Sequence, residues 1–141
     1  MKQLLLLLVF LWAAICPTAA QHTRTVSLQT ALCDSLFLNL QLSCTTGTRP
    51  AVVLTQAYLT RRGQLRREAV QCGRLHYEFS GAANCLFEFS TTFTYQHRRY
   101  RAQGHYAEPS PGEAPDCALR CVPLRLSDKT LREGEYQDYL R

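Results

Sequence analysis

An all-β fold, a small disulfide-stapled sandwich with room for one short helix, is the class this sequence predicts, and three observations predict it. Leu36, Leu38, Leu40 and Leu42 alternate with Phe37, Asn39, Gln41 and Ser43, the period-two pattern of a half-buried strand. From Cys85 to Tyr95 a second alternation sets Phe87, Phe89, Thr91 and Phe93 against Glu88, Ser90, Thr92 and Thr94. No stretch carries the 3.6-residue period of a major helix. With 141 residues the chain has length for one compact domain. Its 46% hydrophobic and 19% charged residues exclude a disordered chain, because such a composition buries enough surface to offset chain entropy.

The N-terminus reads as a leader. Lys2 precedes the apolar run Leu4 to Ile15, and Pro17, Thr18, Ala19, Ala20 and Gln21 follow it, which is the order of regions in a secretory signal peptide. The prediction is a signal peptide over 1–20 with cleavage after Ala20. About twelve apolar residues fall short of the roughly 20 that cross a bilayer. No later stretch reaches that length, so a secreted, extracellular product without a transmembrane anchor is expected.

Along the remaining chain, residues 21–126 are expected to form the β domain. Thr45 to Pro50 is a turn by composition, and Ala51 to Leu59 reads as a second strand that completes a hairpin. Arg61 to Arg67 holds four arginines around Gly63 and is predicted to be a solvated loop or a short exposed helix. Leu75, Tyr77 and Phe79 alternate with Arg74, His76 and Glu78, and a turn at Gly81 to Asn84 leads into the aromatic strand. Three prolines and two glycines mark Gln103 to Asp116 as an irregular surface loop. Ala118 to Leu126 is the last strand candidate, and Pro123 assigns it to an edge or a bulge. The charged tail 127–141 has Ser127 or Asp128 as a cap for a short helix.

Seven cysteines shape the chemistry. Cys16 falls in the leader, and Cys33, Cys44, Cys72, Cys85, Cys117 and Cys121 remain. In an oxidising compartment an even set of six reads as three disulfides, with fifteen pairings open. No C-x-x-C is present and His22, His76, His97 and His105 are scattered, so no metal site or other cofactor is expected. Catalytic signatures such as G-x-S-x-G or H-E-x-x-H are also missing, and the expectation is a protein that is not an enzyme.

Arginine is the informative residue. Fourteen arginines stand against two lysines and the net charge is +5. Clusters lie at Arg61, Arg62, Arg66, Arg67 and at His97, Arg98, Arg99, Arg101. The planar guanidinium fork suits sulfate, phosphate and carboxylate. For an exported chain the expected partners are a glycan, sulfated glycans included, or an extracellular protein, with nucleic acid excluded by compartment.

The segment LCDSLFLNLQLSCTTGTRPAVVLTQAYLTRR, Leu32 to Arg62, resembles the start of the SUEL-type lectin domain, the galactose- or rhamnose-binding lectin domain. In that family a cysteine and an acidic residue precede an alternating strand, a second cysteine, a strand and an A-x-Y-G-R motif. The matching positions are Cys33, Asp34, Leu36 to Leu42, Cys44, Val52 to Leu54 and Ala57 to Arg61. Cys72, Asn84-Cys85-Leu86-Phe87 and Asp116-Cys117 match later family elements. The tyrosine and glycine of the motif fall on Leu59 and Thr60, with Tyr58 one place early, and the family's usual eight cysteines are six. The resemblance implies a compact β-sandwich with a short helix, a Cys33–Cys72 bridge, and a ligand altered from the family's sugar. Asp34, Tyr58, Arg61 and Arg62, with the Gln103 to Asp116 loop, are then the expected ligand-binding residues of a non-enzymatic recognition domain. A cysteine-stapled secreted ligand or signalling factor without lectin activity is the alternative.

Overall fold

The computed structural model describes residues 21–81 and 85–125. The leader expected over 1–20, residues 82–84 of the expected turn, Leu126 at the end of the expected β domain and last strand, and the tail 127–141 with its helix candidate lie outside the described residues. The fold is all-β: eight strands form two four-stranded antiparallel sheets, and the described residues contain no helix. The first sheet is β1 (His22–Cys33), β2 (Leu36–Thr46), β3 (Ala51–Arg61) and β4 (Arg67–Ala69). The second is β5 (His76–Gly81), β6 (Leu86–Tyr95), β7 (Arg98–Ala107) and β8 (Asp116–Pro123). Within each sheet the strands neighbour one another in chain order, the plain meander that short turns produce.

Leucine alternation builds the first sheet. Leu36, Leu38, Leu40 and Leu42 of β2 are all buried, at most 2% exposed, while the residues between them stay partly exposed. Leu38, Leu40 and Leu42 stand opposite Leu59, Ala57 and Leu54 of β3, and Leu40 and Leu42 opposite Leu28 and Val26 of β1. Each fully buried leucine contributes about 1.5–3 kcal/mol of apolar burial. A bulge at Thr55 keeps both ends of β3 in phase, and its hydroxyl donates to Gln41 O at 2.9 Å.

The second sheet supplies aromatics. Phe87, Phe89, Thr91 and Phe93 of β6 face the core as expected. Phe87 lies within 6 Å of Phe79, Phe89 and Tyr106 by ring centroid, and Phe93 stacks on Tyr100. Buried Thr91 avoids an unmet hydrogen bond by donating to Gly73 O at 3.1 Å.

Between the sheets, Cys44 of β2 is bonded to Cys85, which leads into β6. This is the one bridge among the described cysteines, where the sequence predicts three; Cys33, Cys72, Cys117 and Cys121 are unbridged thiols in this structure. Geometry excludes two of the pairs that these four could form. Cys33 ends β1 at one edge of the first sheet, whereas Cys72 follows β4 at the other edge and pairs with Phe93. The Cys33–Cys72 bridge is therefore not formed. Cys117 and Cys121 lie four residues apart on one extended strand, about 13 Å by strand rise, too far for a local bridge.

The four thiols differ in environment, which gives a first expected result. Burial pushes the Cys72 thiol up to about 11, and burial together with the charge of Cys72 pushes Cys121 up to about 12. Cys33 and Cys117 are exposed. At pH 8 a thiol raised to 11 holds about a hundredfold less thiolate than one at 9. Maleimide labelling followed by peptide mass spectrometry therefore modifies Cys33 and Cys117 at least tenfold faster than Cys72 and Cys121. Because both folded values are raised, the stability that these protonated thiols hold is complete below pH 9 and is lost as pH climbs through 11 and 12.

Of the two alternatives for Arg61 to Arg67, the structure takes the solvated loop and not the helix: β3 runs on to Arg61, a turn holds Gly63 at φ 76°, residues 62–66 are exposed, and Arg67 opens β4. One segment differs from the sequence expectation. Residues 103–107 belong to β7 and pair with Asp116 to Arg120, so the irregular loop is confined to 108–115.

Candidate functional site

Strand direction decides which residues meet. The β1–β2 turn holds Asp34 and Ser35, both exposed, and Arg62 N donates to Ser35 O at 2.9 Å. Asp34, Arg61 and Arg62 therefore come together at one end of the first sheet. Arg61 sits opposite Leu36, an inward register position at the last rung of the core. Its side chain leaves across the gap between the sheets, where Nη2 donates to Tyr95 Oη at 2.9 Å. Gln96 Nε2 reaches the same hydroxyl at 3.3 Å.

The outer face of that sheet carries two arginine–aromatic contacts. Arg62 lies 6.0 Å from the Phe37 ring centroid, and Arg67 lies 4.8 Å from that of Tyr58, within the range of cation–π attraction. Tyr58 is opposite Asn39, whose side-chain amide donates to Thr60 Oγ1 at 3.0 Å and accepts from Gln29 Nε2 at 2.8 Å. Tyr58 thus belongs to the outer face, one rung inside the end that holds Asp34 and Arg61.

Across the gap, the β6–β7 turn is Gln96 and His97, at φ 48° and 61°, closed by the pair Tyr95 and Arg98. Two successive left-handed residues define the mirror-image hairpin turn that ordinarily takes Asn-Gly. Here it carries a glutamine and a histidine, and it aims the basic cluster at the same end as Arg61. Leu124 N donates to Arg99 O at 2.9 Å, which brings exposed Arg125 beside that turn.

The loop expected to join this site does not. β7 carries the chain away from the turn at Arg98 to Ala107, about 30 Å at strand rise. Residues 108–115 therefore lie at the opposite end of the sandwich. There Arg24 pairs with Glu108 at 2.5 Å and His105 with Asp116 at 3.3 Å.

Sequence reasoning also missed a groove of about 870 Å³ on the outer face of the second sheet, lined by His76, Glu88, Ser90, Gln103, His105 and Arg120 among others. These residues read as an ordinary solvated face, and their alternation with Tyr77, Phe89 and Gly104 was the only signal. His76 Nε2 is enclosed there without a hydrogen-bond partner. The described residues hold no group of three or more side chains arranged to bind a metal.

No family model, curated protein or solved structure matches this chain. The class that fold and surface define is thus a two-sheet antiparallel β-sandwich with an arginine-bearing end.

Proposed function

We propose that this chain is a secreted, non-enzymatic recognition domain that binds an extracellular glycan or cell-surface protein through the end formed by the β1–β2 turn and the β3–β4 loop. One observation carries the reading: the backbone bond from Arg62 to Ser35 brings Asp34, Arg61 and Arg62, separated by 27 residues in sequence, onto one exposed surface. An acceptor carboxylate beside two guanidinium forks is suited to a ligand that presents hydroxyl and anionic groups together. Tyr58 and Phe37 add apolar ring area on the adjoining face. The leader-like N-terminus and the partial match to the SUEL-type lectin pattern support the same reading.

A glycan array combined with a screen against cell-surface ectodomains tests it. The expected result is a saturable signal from the native chain that falls at least tenfold in Asp34→Ala and Arg61→Ala. Both positions are exposed, so the variants keep the fold, which thermal unfolding checks. A signal that both substitutions leave unchanged overturns the assignment of the site.

A further inference from the structure

Two arginine stretches that lie more than thirty residues apart in the chain meet at one end of the sandwich. We infer that this end is a binding surface for a sulfated polysaccharide, in which Arg98 of the β6–β7 turn completes the surface that Arg61, Arg62, Arg66 and Arg67 begin. This rests on the recognition reading above and names its ligand class.

Placement is the first argument. Arg61 and Arg98 both occupy inward register positions at the ends of their strands, opposite Leu36 and Tyr95. The core stops there, so both side chains emerge over the open end, and both residues are exposed. The two sheets of a sandwich lie about 10 Å apart. Cations held on both sheets therefore fit a ligand with several anions along its length better than a single small anion.

Charge balance is the second. Among the described residues, Asp34 and Glu68 are the acidic ones at this end, and no ion pair between described residues engages Arg61, Arg62, Arg66, Arg67 or Arg98. The far end instead sets Glu108, Glu113 and Asp116 against Arg24 and Arg49, and Arg24 is neutralised by Glu108. The described residues are thus polarised lengthwise, which steers a polyanion to the arginine end.

Preorganisation is the third. The Arg61 guanidinium is held by Tyr95 Oη, and those of Arg62 and Arg67 rest on aromatic rings. Each keeps outward N–H donors while losing rotamer freedom before any ligand arrives, so less entropy is lost on binding. Guanidinium planes presented in this way suit the bidentate geometry of sulfate oxygens.

Immobilised heparin, run as a salt gradient and as a titration at several salt concentrations, tests the inference. The native chain is expected to be retained, with log affinity falling linearly in log salt as counterions are released. Arg61→Ala and Arg98→Ala each weaken binding about tenfold and flatten the salt slope, and the double variant weakens it further. Arg24→Ala, at the other end, changes it less than about twofold. Desulfated heparin and vesicles containing anionic phospholipid bind far more weakly than heparin. Arg98→Ala equal to native, Arg24→Ala equal to Arg61→Ala, or vesicles that match heparin would each overturn the inference. Retention of an uncharged glycan or a protein ligand that needs Asp34 and Arg61, without heparin binding, overturns it as well and leaves the recognition reading standing.

Discussion

Replacing both Cys44 and Cys85 by alanine is expected to cost about 4 kcal/mol of stability. The bridge closes a separation of 41 residues, and cross-linking a loop of that length removes unfolded-state entropy worth about 4 kcal/mol. Both residues are almost wholly buried, at 0% and 1% exposure, between the leucine rungs of β2 and the aromatic rungs of β6. Cys85 also takes a left-handed conformation, φ 42°, a cost for a residue with a side chain that the bridge helps to sustain. Against the 5–15 kcal/mol typical of a domain, the loss moves it close to its limit. Denaturant unfolding of the double variant reports the effect as a lower midpoint, and thermal unfolding as a Tm lower by about 15 °C. A shift under 1 kcal/mol would mean that the two sheets are held together some other way.

Gly104→Ala is expected to destabilise the second sheet by about 3 kcal/mol, the upper end for an overpacked site. A Cβ on Gly104 would lie 2.1 Å from Ala118 O and 3.1 Å from the tip of the Phe89 ring. The ring can yield, but the carbonyl is backbone of β8, next to the Gly104–Leu119 rung. Relief therefore requires β8 to move off β7. Hydrogen exchange follows this directly: amides of Asp116 to Val122 lose protection in the variant while those of β2 and β3 keep theirs. Gly112→Ala is the contrast, since nothing lies within 4 Å of its Cβ position and φ 90° is the only obstacle, at about 1 kcal/mol. Equal effects from the two substitutions would refute the β7–β8 register.

These results bear on what the sequence could tell. β2, β3 and β6 were legible because their inward residues are leucine, valine and phenylalanine, so alternation stands out against polar neighbours. β7 was not: its inward positions are Tyr100, Ala102, Gly104 and Tyr106 and its outward ones are rich in arginine. Small residues pack there only because the Phe89 ring and the β8 backbone fill the space they leave. β1 has two strongly buried residues, Val26 and Leu28, in twelve, and β4 is three exposed residues held by hydrogen bonds to β3. Neither leaves a hydrophobic signature.

The site divides the same way. Asp34, Arg61 and Arg62 were legible because a hairpin return is local and the resemblance marks both of its ends. The meeting of Arg61 with Tyr95 and Arg98 is not local, since it depends on how the second sheet is laid over the first. The error over residues 103–116 has the same origin. Proline and glycine content identifies a loop, but only strand direction says which end of the sandwich it occupies.

Chemical-shift mapping with a sulfated oligosaccharide tests the central claim most directly. The account predicts that amides of residues 61–67 and 95–99 shift together along one binding curve, while residues 22–24 and 108–115 at the opposite end stay still. Shifts confined to one of the two arginine segments, or centred on the far end or on the groove of the second sheet, would contradict it.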